Sequence, residues 1–195
     1  MKSLVLASGS PRRADLLTQL GYQFSIVKPN IIEQQQPSES APAYVERLAR
    51  EKAEAGLQLL SAPAVVIGSD TLLVLNNQVL EKPRDKAHFM SMFQALSGAT
   101  HEVLTAVAVT NGEQTRTIRV STKVSFKVVT TAEMEAYWHT GEPADKAGGY
   151  GIQGIGGRFV TTINGSYFAV VGLPLYETEQ LLTSFGLVSA FGSTV

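Results

Sequence analysis

The segment 64-AVVIGSDTLLVL-75 constrains the fold more than any other part of the sequence. It is an almost continuous apolar run, which is typical of a strand that is buried on both faces. Such strands occur in sheets that helices cover. We expect this strand either to end near Ser69 and Asp70 or to carry a bulge there. Asn76 and Asn77 could then turn the chain back on itself.

Helix and strand patterns alternate in the first half of the sequence, and an antiparallel ribbon follows. The expected elements are strands over 3–7, 22–27 and 64–75, helices over 11–20, 41–60 and 85–97, a ribbon over 101–110 and 114–129, a helix over 130–139, strands near 158–163 and 167–171, and a helix from Pro174. This order predicts a single α/β domain with a mixed sheet flanked by helices. Ligands in such folds bind at the carboxyl ends of strands, beside helix N-termini.

The composition excludes several classes of protein. The chain has 195 residues, of which 44% are hydrophobic and 17% are charged, and its formal net charge is −1. This charge creates no field that would recruit nucleic acid or an anionic membrane, so we expect neither partner. The absence of cysteine excludes disulfides and thiolate metal sites. The apolar segment 3-SLVLA-7 is too short for a signal-peptide core, and no run reaches the roughly 18–20 residues that cross a bilayer, which favours a cytoplasmic location.

The segment 6-LASGSPRRADLL-17 places two arginines in the first turn of a helix. The positive end of the helix dipole makes this unfavourable by about 0.3–1 kcal/mol for each arginine unless an anion is present. Ser8 and the free N–H groups of the turn could complete a phosphate cradle. The alternative is a solvated basic helix start with Asp15 as a weak partner. Helical spacing aligns Arg13 with the apolar face and places Arg12 at its flank.

Two further charged residues lie in apolar surroundings. Lys52 falls within the apolar stripe of the second helix, so it must either extend to solvent or meet an anion. Asp70 follows a nearly pure apolar strand. A carboxylate there either forms a turn or serves as a catalytic or metal-binding group.

Three polar residues elsewhere leave two interpretations open. Lys82 precedes a proline in an extended segment and is either a surface lysine or a phosphate ligand. Glu33 lies in a polar loop and is either solvated or a ligand for a hard metal ion. The segment 148-GGYGIQGIGG-157 is either a flexible connector or a close backbone approach to a ligand, where the amide of Gln153 could read the edge of a base.

Six motifs in order carry a resemblance to a known family. They are 6-LASGSPRR-13, 48-LAREKA-53, 67-IGSDT-71, 81-EKPRD-85, 145-DKAGGYGIQG-154 and 164-NGSYFAVVGLPL-175. With these motifs the chain resembles the Maf family of nucleoside triphosphate pyrophosphatases, from about Leu4 to about Leu182. The similarity is closest to the branch that hydrolyses dTTP and UTP, because Arg12, Thr71 and Gln153 stand where the family separates its substrates.

The resemblance implies a role for each candidate residue. It implies Asp70 as the general base, Arg12, Thr71 and Gln153 as the base-selecting set, and Ser8, Arg13, Glu33, Lys52 and Lys82 as substrate-binding residues. A divalent cation, magnesium or manganese, is implied, with Asp70 and Glu33 as its candidate ligands. The implied fold is an elongated mixed α/β structure related to the inosine-triphosphate pyrophosphatases, with a nucleotide cleft between two lobes. Homodimers occur in the family.

The resulting hypothesis is hydrolysis of dTTP and UTP, and of modified pyrimidine triphosphates, to the nucleoside monophosphate and pyrophosphate. Such an activity would suit cleaning of the nucleotide pool. One alternative is an enzyme that releases orthophosphate from the γ position. Another is a nucleotide-binding regulator of cell division with little turnover, because members of the family are associated with division arrest.

Overall fold

The computed structural model describes residues 3–192, which contain seven β-strands and six α-helices. The strands are β1 (Leu4–Ala7), β2 (Ser25–Val27), β3 (Val65–Leu75), β4 (Gln78–Leu80), β5 (Thr100–Thr110), β6 (Thr115–Phe126) and β7 (Val160–Asn164). The helices are α1 (Pro11–Gln19), α2 (Ala41–Gln58), α3 (Lys86–Leu96), α4 (Thr131–His139), α5 (Tyr167–Val171) and α6 (Leu175–Ser184). Short 3₁₀ helices cover Glu142–Asp145, Ala147–Gly149 and Ile155–Phe159. No helix within residues 3–192 is long and apolar enough to span a membrane.

The seven strands form one mixed sheet. Their order is β2-β1-β3-β5-β6-β7, with β4 paired to β3. β1 runs parallel to β2 and β3, whereas the β3–β4 and β6–β7 pairs are antiparallel. The prediction of an α/β fold with a mixed sheet flanked by helices is therefore confirmed.

The chain divides into two compact units. The first contains the chain up to Asp70, Thr105–Val120 and the chain from Gly172 onward. The second contains Thr71–Leu104 and Ser121–Val171. The expected division of one domain into two lobes around a nucleotide cleft stays a prediction.

In the first unit, α2 lies unusually close to the parallel strands. A side chain on Gly68 of β3 would place its Cβ 2.5 Å from the carbonyl oxygen of Ala49 and 2.6 Å from the nitrogen of Ala53. A Cβ on Gly56 would lie 2.6 Å from the Cβ of Ala7. All three distances are too short for real side chains, so glycine at these two positions is required for helix and strand to approach this closely.

The core of the second unit is aromatic. The rings of Phe89 and Phe93 on α3 lie 4.5 Å apart, and Phe93 meets Phe159 edge-on at 5.5 Å. His101 at the start of β5 is 2% exposed, and its Nε2 atom lies 2.8 Å from the Tyr150 hydroxyl. This histidine therefore stands inside the core.

Most of the expected elements are present, with small shifts of their ends. Ser40 caps α2 by accepting a hydrogen bond from the Ala43 nitrogen at 3.4 Å. Thr130 and Glu133 form the expected capping box at the start of α4. The turn at Asn76 and Asn77 is confirmed, because both residues have positive φ angles of 50° and 63°.

Two expectations about local structure were wrong, and one of two alternatives for β3 is excluded. β3 does not end at Asp70 but continues to Leu75, and the alternative of a bulge there stays a prediction. The segment 167–171, expected to be a strand because of its apolar residues, is helix α5, which Ser166 begins by accepting a hydrogen bond from the Ala169 nitrogen. The glycine-rich segment, expected to be loop throughout, includes parts of two short 3₁₀ helices.

The buried His101 predicts how stability depends on pH. Burial lowers the pKa of His101 from 6.5 to about 4, so the unfolded chain takes up this proton at a higher pH than the folded chain does. The free energy of unfolding should therefore fall as the pH drops from 6.5 toward 4, by about 3 kcal/mol from this group. Urea denaturation at several pH values measures this.

The matched variants are His101→Gln, which removes the buried titration, and His139→Gln, which changes an exposed histidine. The pH dependence should weaken in His101→Gln and persist in His139→Gln. An unchanged slope in His101→Gln would contradict the assignment.

Candidate functional site

The turn between β1 and α1 is organised by Ser8. This serine is 7% exposed, and its hydroxyl oxygen accepts a hydrogen bond from the Ser10 nitrogen at 3.1 Å. Arg13 also approaches the same oxygen, through Nη1 at 3.5 Å. Ser10 adopts the extended N-cap conformation but makes no side-chain cap, which leaves the helix start available to an anion.

Arg13 is anchored at the inner side of this turn. Its Nε atom donates to the carbonyl oxygen of Gly172 at 3.0 Å, and the buried Ser69 hydroxyl lies 3.0 Å from the same oxygen. Burial lowers the pKa of Arg13, and the charges of Asp70 and Glu33 oppose this shift. The guanidinium remains charged at neutral pH because its ordinary pKa lies far above 7. The predicted inward position of Arg13 is confirmed.

Lys52 bridges two carboxylates. Its ammonium lies 2.5 Å from Oδ1 of Asp70 and 2.9 Å from Oε1 of Glu33. The residue is 9% exposed, so it does not extend into solvent. Of the two alternatives that the sequence left open, Lys52 therefore meets an anion, and this anion is a carboxylate of the protein itself.

Asp70 is the most buried charged residue of the cluster, at 5% exposed. Burial raises the pKa of its carboxyl, and the nearby charges of Lys52 and Arg13 oppose this. Its second oxygen, Oδ2, is buried and has no hydrogen-bond partner within residues 3–192. An unpartnered buried oxygen is costly, and such atoms are a feature of catalytic and ligand-binding sites.

The loop that carries Glu33 is fixed by an ion pair that the sequence did not reveal. Arg47 of α2 donates to both carboxylate oxygens of Glu39, at 2.7 and 2.8 Å, and to the carbonyl oxygen of Gln34 at 2.9 Å. Hydrogen bonds from Arg47 lower the pKa of Glu39 to about 2 despite its burial. Because Gln34 is the next residue after Glu33, this pair restrains Glu33 beside Lys52.

Arg12 is placed differently from its neighbour. It is half-buried on α1 and forms no ion pair within the described residues 3–192. Its positive charge contributes to lowering the pKa of Arg13, so two cations share the helix start. This placement agrees with the flanking position that the helical spacing predicted.

The other candidate residues belong to the second unit. Thr71 lines a cavity of about 40 Å³ together with Leu72, Leu73, Val103, Ala147, Tyr150, Ile152 and Val170. Lys82 is exposed, and the carbonyl oxygen of its neighbour Glu81 accepts a hydrogen bond from the Gly148 nitrogen at 3.1 Å. Gln153 is exposed at a turn directly after a cavity-lining residue. The segments of all three residues are thus linked within the second unit, because Ala147 and Ile152 line the cavity with Thr71 and Gly148 contacts Glu81.

A hard divalent cation fits the carboxylates of the first unit. Asp70 offers the unpartnered Oδ2, and Glu33 lies on the same lysine. Within the described part of the chain, no group of three or more His, Cys, Asp or Glu residues could hold a metal ion. Magnesium needs no such group, because it commonly binds one or two carboxylates together with substrate phosphates and water.

In the first unit, the structure brings together five predicted residues: Ser8, Arg13, Glu33, Lys52 and Asp70. It also adds the Gly172 carbonyl and the Arg47–Glu39 pair, which sequence patterns could not reveal. Every residue has a backbone carbonyl, so the sequence cannot indicate which carbonyl accepts from Arg13. Arg47 is one of several charged residues on its helix, so the sequence does not indicate that it binds the loop of Glu33.

The fold and the site define an α/β protein with a basic helix start and a buried carboxylate beside cations. The chain belongs to the Maf family, because the model of that family, described as Maf-like protein, matches residues 3–185. The resemblance found in the sequence is thereby confirmed.

Several curated relatives share more than half of their residues with this chain. A protein of Vibrio cholerae is 60% identical over 185 residues, which cover 95% of this chain and 99% of the relative. A protein of Salmonella typhimurium is 56% identical, with 95% and 94% covered. A protein of Pseudoalteromonas translucida is 55% identical, with 94% and 97% covered. All three are named dTTP/UTP pyrophosphatase.

Similarity to solved structures is more distant. The Ham1 protein of Staphylococcus aureus aligns with a TM-score of 0.47 and 13% identity, over 64% of this chain and 72% of that chain. A nucleoside-triphosphatase/dITP/XTP pyrophosphatase of Mycobacterium abscessus aligns with a TM-score of 0.41 and 19% identity, over 65% and 73%. Similarities this weak support no statement about function.

The buried ion pair predicts a specific pattern of stabilities. Lys52→Met should lower the free energy of unfolding by about 3 kcal/mol, because Asp70 then remains buried without its partner. The double variant Lys52→Met/Asp70→Asn should be more stable than Lys52→Met, since no charge remains uncompensated. Urea denaturation at neutral pH measures the free energy of unfolding of the unchanged protein, the single variant and the double variant.

Lys86→Met is the matched control, because the Lys86 ammonium pairs with Glu135 at 3.7 Å on the surface. Its stability should change by less than about 0.5 kcal/mol. Equal losses in the single and double variants would show that the Lys52–Asp70 pair is not what the substitution disrupts.

Proposed function

We propose that this protein is a nucleoside triphosphate pyrophosphatase that hydrolyses dTTP and UTP to the nucleoside monophosphate and pyrophosphate. The observation that carries the proposal is the Asp70 carboxylate, which has one oxygen on Lys52 and the other without a partner within residues 3–192. The names of the relatives in Vibrio, Salmonella and Pseudoalteromonas support the same substrates.

In the proposed reaction, water attacks the α-phosphorus of the triphosphate. Asp70 orients this water through Oδ2 and takes its proton as the new P–O bond forms. The bond from the α-phosphorus to the bridging oxygen breaks, and pyrophosphate leaves with the electron pair. Lys52 keeps Oδ1 occupied, so Oδ2 is the oxygen that acts as the base. Burial, which raises the pKa of Asp70, makes it a stronger base than an exposed aspartate.

The cations hold the triphosphate and stabilise the leaving group. Ser8 and Arg13 present a hydroxyl and a guanidinium beside the start of α1, where the helix dipole favours an anion. Lys52, Lys82 and Glu33 complete the proposed substrate-binding set. Positioning and charge stabilisation of this kind supply most of the rate in phosphate chemistry.

A divalent cation, magnesium or manganese, belongs to the proposed site, with Asp70 and Glu33 as the residues that would hold it. When bound, such an ion supplies positive charge that neutralises the phosphate oxygens. Four points stay predictions. They are which of the two metals binds, the homodimer, the cytoplasmic location and the link to cell division.

We further propose that Arg12, Thr71 and Gln153 select the base. Arg12 lies at the flank of the phosphate cradle with no ion pair within the described residues. Thr71 lines a cavity, and Gln153 follows another of its lining residues. The Gln153 amide can both donate and accept, as reading a pyrimidine edge requires.

Replacing the general base tests the reaction. Asp70→Asn should bind dTTP but lower turnover at least about a hundredfold, because the amide cannot accept the proton of water. Release of pyrophosphate and of orthophosphate is measured in parallel for both proteins, with magnesium or manganese. Asp15→Asn, an exposed change on α1, is the matched control and should keep its turnover.

Near-normal turnover in Asp70→Asn would remove Asp70 from the role of base. Orthophosphate as the first product of the unchanged protein would favour cleavage at the γ position. An intact protein that binds dTTP and never cleaves it would favour a nucleotide-binding regulator.

Replacing Arg12 tests the selection of the base. Arg12→Trp should change the relative kcat/KM for dTTP, UTP and purine triphosphates more than it changes inhibition by inorganic pyrophosphate. The reason is that Arg13, not Arg12, makes the contacts inside the cradle. Arg12→Ala removes the charge without adding a ring, so it separates the effect of the lost charge from the effect of the added indole ring. A uniform loss across all substrates would instead assign Arg12 to phosphate binding.

A further inference from the structure

Gln153 lies in the glycine-rich segment, and only the backbone of this segment fixes its position. The Gln153 side chain is exposed, so packing does not fix it. The position of its amide therefore depends on the residues that fix the chain on either side. Two side chains of the second unit, Glu142 and Tyr137, make those contacts.

Glu142 binds the segment after Gln153. Its Oε2 atom accepts a hydrogen bond from the Ile155 nitrogen at 2.8 Å, and its Oε1 atom accepts one from the Gly156 nitrogen at 3.0 Å. Burial alone would raise the pKa of Glu142, but these hydrogen bonds and one from Tyr137 more than offset it, so its pKa lies below the ordinary value. Glu142 is thus a carboxylate at neutral pH, and both of its oxygens are engaged.

Tyr137 binds the segment before Gln153. Its hydroxyl donates to Oε1 of Glu142 at 2.7 Å and accepts a hydrogen bond from the Gly151 nitrogen at 3.2 Å. The ring is 2% exposed in the aromatic core, which fixes the hydroxyl in place. One continuous network therefore holds the backbone two residues before Gln153 and two and three residues after it.

The glycines around Gln153 are required by this network. A Cβ on Gly154 would lie 2.6 Å from the Glu142 carboxyl carbon, and one on Gly151 would lie 3.2 Å from Oε1 of Glu142. A Cβ on Gly156 would collide with the Tyr137 hydroxyl. Gly154 and Gly156 therefore stand where a carboxylate and a phenol approach the backbone closely, which explains these two glycines without any need for flexibility.

We propose that Glu142 and Tyr137 are positioning residues that hold Gln153 in the orientation that selects the base, without contacting the substrate themselves. This inference rests on the proposed role of Gln153. It adds two specificity-determining residues, Tyr137 on α4 and Glu142 at the start of the 3₁₀ helix Glu142–Asp145, to a set that otherwise lies on α1, β3 and the glycine-rich segment.

The test compares substrate selectivity in variants of the full chain. The ratio of kcat/KM for dTTP to that for dCTP is informative, because cytosine carries an amine where thymine carries the C4 carbonyl and also lacks the N3 hydrogen and the 5-methyl group. Glu142→Ala and Gln153→Ala should each lower this ratio about tenfold, the equivalent of one well-placed hydrogen bond. The loss should appear as a raised KM for dTTP, with kcat changed less than about twofold, since the reacting groups are untouched.

Conservative variants separate positioning from loss of structure. Glu142→Gln keeps one oxygen to accept from Tyr137 and Gly156 but presents a donor to the Ile155 nitrogen, so its effect should be smaller, about threefold. Tyr137→Phe frees the Gly151 nitrogen and should also lower the ratio. Glu135→Ala, an exposed change on α4, should leave it unchanged. Hydrogen exchange at Gly151, Ile155 and Gly156 should be faster in the Glu142 and Tyr137 variants.

The outcomes distinguish this inference from the proposed function. If Gln153→Ala lowers the ratio and the Glu142 and Tyr137 variants do not, the positioning role is overturned and base selection by Gln153 stands. If none of these variants changes the ratio, Gln153 does not select the base, and the positioning role is overturned with it. A graded loss in the order Glu142→Ala, Glu142→Gln, unchanged protein supports the inference.

Discussion

The close contact between α2 and β3 is the constraint on which the site depends. Gly68 has no side chain, so the backbone of α2 at Ala49 and Ala53 lies directly against β3. Lys52 is adjacent to Ala53 on the helix, and Asp70 is two residues beyond Gly68 on the strand. The short approach of helix to strand therefore brings ammonium and carboxylate within 2.5 Å. A larger residue at position 68 would move the helix outward and lengthen that distance.

The Lys52–Asp70 pair is better explained by function than by stability. Removing two charges from water costs several kcal/mol for each ion, and an apolar pair would often stabilise a core equally well. Around this pair, Arg12, Arg13 and Lys52 exceed Asp70 and Glu33 by one positive charge, although the chain as a whole has a net charge of −1. The local charge therefore favours an anion, although the net charge of the whole chain does not. In the proposed site, a phosphate on Lys52 would compete with Glu33, whose side chain is half-exposed, rather than with the buried Asp70.

The features that the sequence predicted are those that local chemistry determines. The apolar run of β3, the capping box of α4 and the inward position of Lys52 each follow from spacing within one element. Contacts between distant segments could not be predicted in this way. Arg13 donates to the carbonyl of Gly172, 159 residues away, and nothing in either segment indicates the pairing. Helix α5 was mistaken for a strand because its apolar residues suit both structures, and only the Ser166 cap decides between them.

Glycine has the same purpose in both units, and this changes how the glycine-rich segment should be understood. Gly68 admits the backbone of α2, and Gly154 and Gly156 admit the side chains of Glu142 and Tyr137. In each case the missing Cβ makes room for another segment of the chain, which places a candidate functional residue nearby. Composition alone suggested a flexible connector, because glycine also loosens a chain that has no partners. What separates the two meanings is whether a carboxylate elsewhere in the chain accepts from the glycine segment, and here Glu142 does so with both oxygens.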